Sequence, residues 1–170
     1  MSGATPTVFA LDANVFIEAH RRYYAMDLCP GFWDCLEHHC GSERILSIDR
    51  VRAEIKDGDE LARWVARAPT SLFASTADAN VVRVFGDLMR WVQGHPGFME
   101  AAKAEFARAA DGWLVAFASV YGATVVTHEV FKANAQRRVP IPNICREFGV
   151  AYVNTFDMLR ALEVRFGWAA

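Results

Sequence analysis

The 170 residues are enough for one domain with a full core and too few for two comfortable ones. A hydrophobic content of 53% against 22% charged residues excludes a disordered chain. The net charge of −2 excludes a protein coated in positive charge for bulk nucleic-acid binding. No apolar run approaches the ~20 residues that span a bilayer, and residues 1–7 lack the basic and apolar segments of a secretory leader. The expected location is the cytoplasm, with no membrane partner.

In chain order, Val8-Phe9-Ala10-Leu11 is a short apolar run, followed by helical spacing of Val15, Phe16, Ala19 and Tyr23 over residues 14–24. A short amphipathic helix is predicted over 32–39. The second run, Ile45-Leu46-Ser47-Ile48, leads into a helix over 49–56 with Val51 and Ile55 on one face. After the turn Asp57-Gly58-Asp59, helices are predicted over 60–67 and 78–91, with only a weak strand signal over 71–75 between them. Gly94-His95-Pro96-Gly97 breaks the chain before helices over 98–108 and 111–121. The runs Thr124-Val125-Val126-Thr127 and Val150-Ala151-Tyr152-Val153 alternate with helices over 142–148 and 156–166. Each run is apolar on both alternating faces, which fits strands of a parallel sheet covered by helices. The expectation is a single α/β domain with right-handed crossovers and a helical insertion over about 56–109, before the third core strand.

Cys29, Cys35, Cys40 and Cys145 form no C-x-x-C pair and no zinc-ribbon pattern. Cys35, His38, His39 and Cys40 bunch together, which is either a metal site or a helix end with reduced thiols.

Ligand sites in open α/β sheets form beyond the carboxyl ends of the strands, so the polar residues just past each apolar run are the candidates. Asp12 follows the first run directly. A carboxylate there must be hydrated, paired or bound to a cation, or else it caps the next helix, a role Asn14 also suits. Asp49 follows the second run and Glu54 lies in the next helix at the edge of its apolar face. Asp49 has a capping explanation and Asp57 belongs to a turn, which favours Glu54. Asp111 opens the apolar stretch 112–118, either as a ligand or as a partner of the helix dipole. Thr127 and Glu129 end the third run on one side, with His128 on the other. Clustered carboxylates repel each other unless a cation offsets them, and hard cations such as Mg²⁺ and Mn²⁺ prefer oxygen donors. No nucleophile–base pairing and no glycine-rich phosphate loop is present.

Four stretches together resemble the PIN-domain family. Leu11-Asp12-Ala13-Asn14 after a hydrophobic strand is similar to its opening D-x-[NS], and Ser47 through Glu54 to its second motif. Asp111-Gly112-Trp113-Leu114 is similar to the third, and Val125-Val126-Thr127-His128-Glu129 to the fourth, with glutamate where aspartate is commoner. The order and approximate spacing agree over residues 8–155. The stretch before Asp111 is longer than in the smallest members. The resemblance implies a three-layer α/β/α fold around a parallel sheet of about four to five strands. It further implies Mg²⁺- or Mn²⁺-dependent cleavage of single-stranded RNA, and, as for many bacterial members of this size, the VapC-type toxin of a type II toxin–antitoxin pair. By that match Asp12, Glu54, Asp111 and Glu129 are the catalytic, metal-holding acids, supported by Asn14 and Thr127. The partners are then an RNA substrate, a cognate antitoxin and a second copy of the chain as homodimer.

Residues 130–146 contain Lys132, Arg137, Arg138 and Arg146 and no acid, so they can flank the acidic centre and grip phosphates, as can Arg21 and Arg22. The plain alternative is a solvated surface run. Two other functions compete: an inert PIN-like protein-binding domain, and a phosphohydrolase of the haloacid dehalogenase type. The latter needs a second aspartate at the position of Asn14. Leu159, Leu162 and Phe166 belong either to the core or to a dimer or antitoxin surface.

Overall fold

A computed structural model describes residues 6–56 and 58–168. The first five residues of the segment read for a leader, and Asp57 of the predicted turn, lie outside the described residues. The short apolar runs form strands β1 (Phe9–Leu11), β2 (Ile45–Ile48), β4 (Thr124–Val126) and β5 (Tyr152–Val153). The weak signal over 71–75 becomes β3 (Phe73–Ala74), preceded by a 3₁₀ turn at Thr70–Leu72. All pair in parallel in the order β3-β2-β1-β4-β5. Helices flank this sheet, as expected of the α/β class. Parallel strands need covered faces because both sides of each strand carry apolar side chains; Ala10, Leu11, Ile48, Val125 and Val126 are fully buried.

The helices are α1 (Ala13–Glu18), α2 (Pro30–Gly41), α3 (Asp49–Glu54), α4 (Glu60–Arg67), α5 (Ala79–Gly94), α6 (Glu100–Arg108), α7 (Asp111–Tyr121), α8 (Ile141–Glu147) and α9 (Thr155–Ala161). Helices α4 and α7 have the bounds their sequence predicts. Most other helices shift by one to three residues at their ends, and two segments differ more. The first predicted helix gives way after Glu18 to a π-helical turn, Ala19–Tyr23, closed by the Tyr24 N–H donating to the Ala19 carbonyl at 2.7 Å. Tyr24 there stacks on Phe32 with centroids 4.3 Å apart, a packing that a regular helix periodicity cannot announce. The last helix ends at Ala161 instead of near residue 166, because Glu163 adopts a left-handed φ of 58°. Leu159 and Leu162 are core residues, whereas Phe166 is 42% exposed and rests against Tyr24.

Helix α7 is the central helix, burying Leu114, Val115, Ala116, Phe117 and Ala118 and packing on α5, β1 and β4. Gly122, left-handed at φ 67°, ends it. Where α7 begins, a Cβ on Gly112 would stand 3.1 Å from the rings of both Phe85 and Phe106. Trp113 stacks on Phe85 at 3.8 Å and carries the Arg50 guanidinium at 3.7 Å. The helical insertion is thereby held against the start of α7.

Asp49 is not the N-cap of α3. It occupies the first helical position, and its carboxylate accepts the Thr76 N–H at 3.1 Å and the Thr76 hydroxyl at 2.8 Å. It thus ties the end of β2 to the chain beyond β3. Asp49 is exposed but Thr76 is buried, and a buried polar group that loses its partner costs about 1–3 kcal/mol. Asp49→Ala is therefore expected to lower unfolding stability by about that amount in urea titration. An unchanged midpoint would show that the tie is not a stabilising one.

Candidate metal centre

Strand order runs outward from β1 in both directions, so the boundary between β1 and β4 is where the connection reverses, and crevices open at such points. Asp12 leaves β1 and Thr127 leaves β4 on the two sides of this boundary. The Asp12 N–H donates to the Val126 carbonyl at 3.0 Å, and the Thr127 hydroxyl donates to Asp12 Oδ2 at 3.2 Å. Asp12 is only 2% exposed. It holds the N-cap position of α1, yet its side chain makes no capping hydrogen bond. Capping therefore does not account for this carboxylate.

Two further acids reach the same crevice from elsewhere in the chain. Asp111 is the half-buried first residue of α7, and Glu54, at the end of α3, accepts the Ala110 N–H on Oε1 at 2.7 Å. Asp12, Asn14, Glu54, Glu105, Asp111 and Arg138 line a cleft of about 180 Å³. Burial first, then the Glu129 and Glu54 charges, push the Asp12 carboxyl from 3.8 up to about 7, against the pull of the Thr127 hydrogen bond. Burial first, then the charges of Asp12, Glu129 and Glu54, push Asp111 up to about 8, opposed by Arg138. Of the four acids predicted from sequence, Asp12, Glu54 and Asp111 line this cleft, whereas Glu129 stands outside it and acts on Asp12 and Asp111 through its charge.

Their engagement differs. Glu129 commits both oxygens: Oε1 accepts from Arg138 Nη2 at 2.9 Å and Oε2 from the Ile141 N–H at 2.7 Å. It pins the 130–140 loop and the start of α8 beside the cleft. Thr127 is turned by two bonds, donating to Asp12 and accepting the Glu129 N–H at 3.1 Å. Glu105 was not singled out by sequence. It arrives on α6 from the insertion, with no strand end to point to it; the only sign is its place beside buried Phe106.

The basic residues divide. Arg138 stands at the mouth of the acidic cleft, while exposed Lys132 and Arg137 line, with Arg138, a neighbouring cleft of about 600 Å³ that also touches His128 and Glu129. Arg22 pairs with Glu18 at 3.2 Å on the π-helical turn and faces the same mouth together with Asn14; Arg21 is exposed on that turn.

Carboxylates, the Asn14 amide and the Thr127 hydroxyl form an oxygen-rich donor set, the kind that suits a hard divalent cation. Among the described residues no group of three or more acids, imidazoles or thiols is placed to hold a metal ion. This still fits Mg²⁺, which usually keeps several waters and binds through one or two carboxylates. The cysteines offer no competing site: burial pushes the Cys35 thiol up to about 11 and that of Cys145 up to about 12, and Cys40 lies 3.5 Å from the Ser71 hydroxyl. Among the described residues no helix is long and apolar enough to cross a membrane.

A family model described as a domain of unknown function, DUF4411, matches residues 9–166. No curated protein matches the sequence. Among solved structures, the chain is similar to one from VapBC2 of Rickettsia felis bound to a DNA fragment from their promoter. The TM-score is 0.55 and the identity 15%, over 87% of this chain and 98% of that one. Such a likeness is one of fold, and it is a PIN-like fold.

Because Asp12 and Asp111 have raised carboxyl pKa values, the folded state binds more protons than the unfolded state between about pH 4 and pH 8. Their contribution is fully present below the unfolded value and is lost as pH rises through the folded ones. The melting temperature in chelator is therefore expected to fall from pH 5 to pH 8.5, and millimolar Mn²⁺ at pH 8.5 to restore it. Asp12→Asn should raise the melting temperature at pH 8.5 by roughly 3 °C or more and flatten its pH dependence. A variant as steeply pH-dependent as wild type would show that Asp12 is not the strained acid.

Proposed function

The chain belongs to the DUF4411 family, and from the acidic cleft at the switch point of its PIN-like sheet we propose a metal-dependent endoribonuclease that cleaves single-stranded RNA. This reading takes residues 1–170 as one PIN-like domain working in the cytoplasm. The observation that carries it is the meeting of buried Asp12, half-buried Asp111 and Glu54 around one cleft at the strand ends. Neither Asp12 nor Asp111 caps a helix through its side chain.

Asp12, Glu54 and Asp111 would hold Mg²⁺ or Mn²⁺, with Glu129 as the fourth acid. When bound, the ion supplies positive charge that favours ionisation of a water and offsets charge building on a phosphodiester. Thr127 orients the Asp12 carboxylate, and the Ala110 N–H orients that of Glu54. Asn14 lines the same cleft as a neutral support. Lys132, Arg137 and Arg138 offer cations to the RNA backbone on one side, and Arg21 and Arg22 on the other. The likeness in fold to VapBC2 supports the toxin of a type II pair, with a cognate antitoxin as partner and a homodimer as its assembly.

One observation favours a second reading, a catalytically inert binding domain of the same fold: both oxygens of Glu129 are already engaged by Arg138 and Ile141. The two readings separate in a cleavage assay. Single-stranded RNA incubated with the protein and Mn²⁺ should be cut, with no cutting in chelator, and Asp12→Asn with Glu54→Gln should lower the rate by about 100-fold or more. Cleavage by the double variant at the wild-type rate, or none by wild type with either ion, would reject the enzyme reading.

A further inference from the structure

Beyond Thr127 the protein carries large aromatic side chains in water, although its core buries many others. Tyr23 is 50% exposed and Phe131 and Phe156 are each 38% exposed. They come from three separate places: the π-helical turn, the 130–140 loop and the first turn of α9. The His128 ring joins them, with centroids 5.8 Å from Tyr23 and 6.3 Å from Phe156, and Tyr23 meets Phe156 edge-on at 5.7 Å. The Arg146 guanidinium lies 3.8 Å over Phe131, and its Nε donates to the Tyr152 hydroxyl at 3.3 Å. His128, Phe131, Arg146, Tyr152 and Phe156 bound a cleft of about 540 Å³ whose inner end is Thr127.

That inner end is the residue whose hydroxyl bonds to Asp12. The segment from His128 to Val130 also lines the basic cleft of Lys132, Arg137 and Arg138. This stretch of chain therefore borders both an aromatic trough, which reaches Thr127 and through it Asp12, and a cationic one, which shares Arg138 with the acidic cleft. A nucleotide has the same division: a flat π face on one side of the sugar and an anion on the other. Aromatic and arginine faces bind unpaired bases by stacking, worth about 1–3 kcal/mol per base and tolerant of sequence. Bases in a duplex present no free face to such a trough.

We propose that the trough between His128, Phe131 and Phe156 is a nucleobase subsite, taking an unpaired base of the RNA next to the phosphodiester at the acidic centre. It rests on the RNA-cleaving reading and extends it: Phe131 and Phe156 are the stacking surfaces that restrict the enzyme to single strands.

Binding of a short fluorescein-labelled single-stranded RNA, measured by anisotropy with the full chain in chelator, tests this apart from cleavage. Phe131→Ala and Phe156→Ala should each weaken binding about tenfold, and Phe131→Tyr and Phe156→Tyr should restore it. The same RNA made abasic should bind wild type and the alanine variants equally weakly. Three results overturn the subsite. If the alanine variants bind intact RNA as wild type does while Lys132→Ala with Arg137→Ala weakens it, the RNA is held by its backbone, the trough serves another partner such as a protein, and the ribonuclease reading stands. If the alanine variants lose intact and abasic RNA equally, the rings support the structure and no base. If wild type neither binds the RNA nor cuts it with Mn²⁺, both readings fall together.

Discussion

Parallel pairing of β1 with β4 brings two chain segments more than a hundred residues apart to the same edge, and one hydrogen bond records the result: Thr127 to Asp12 at 3.2 Å. The residues that follow the two strands have nowhere else to go. Asp12 leaves a strand that is buried on both faces, so its carboxylate enters the crevice with almost no access to water. Water would have stabilised its charge; what surrounds it instead is the Thr127 hydroxyl, the Ala13 backbone and other acids. The chemistry proposed for the protein and the electrostatic cost at its centre have the same origin in the strand order.

The helical insertion completes the centre. It delivers Glu105 directly and sets the start of α7, where Asp111 lies and where the Ala110 N–H takes up one oxygen of Glu54. Acids from β1, α3, α6 and α7 are thus held by packing among elements that are distant in sequence. On the opposite rim, Glu129 fastens Arg138 and α8, so the cationic loop is anchored by an anion of the site it borders.

Much of this was legible before folding. Short runs apolar on both faces gave the strands, and the rule that sites gather beyond strand ends led to Asp12, Thr127 and Glu129, all of which reach one neighbourhood. The capping role that sets Asp49 aside in favour of Glu54 is not the one it plays: its carboxylate is taken up by Thr76, far along the chain. The rest depended on tertiary contacts. Periodicity cannot reveal a π-helical turn sustained by Tyr24 packing on Phe32, nor a glutamate such as Glu105 that reaches the cleft only because α6 folds back. The pairing of Glu129 with the Ile141 N–H was equally hidden, since it depends on where a loop without regular structure returns.

Gly112 bears on the packing beside the centre. Its missing side chain lets Phe85 of α5 and Phe106 of α6 approach the first turn of α7 to a distance where even a methyl group would crowd both rings. Phe106 is the neighbour of Glu105, and Gly112 is the neighbour of Asp111, so this close packing lies beside two acids of the cleft. Bulk added at this position would press on both rings at once, straining the seat of the acidic crevice from behind without touching one of its carboxylates.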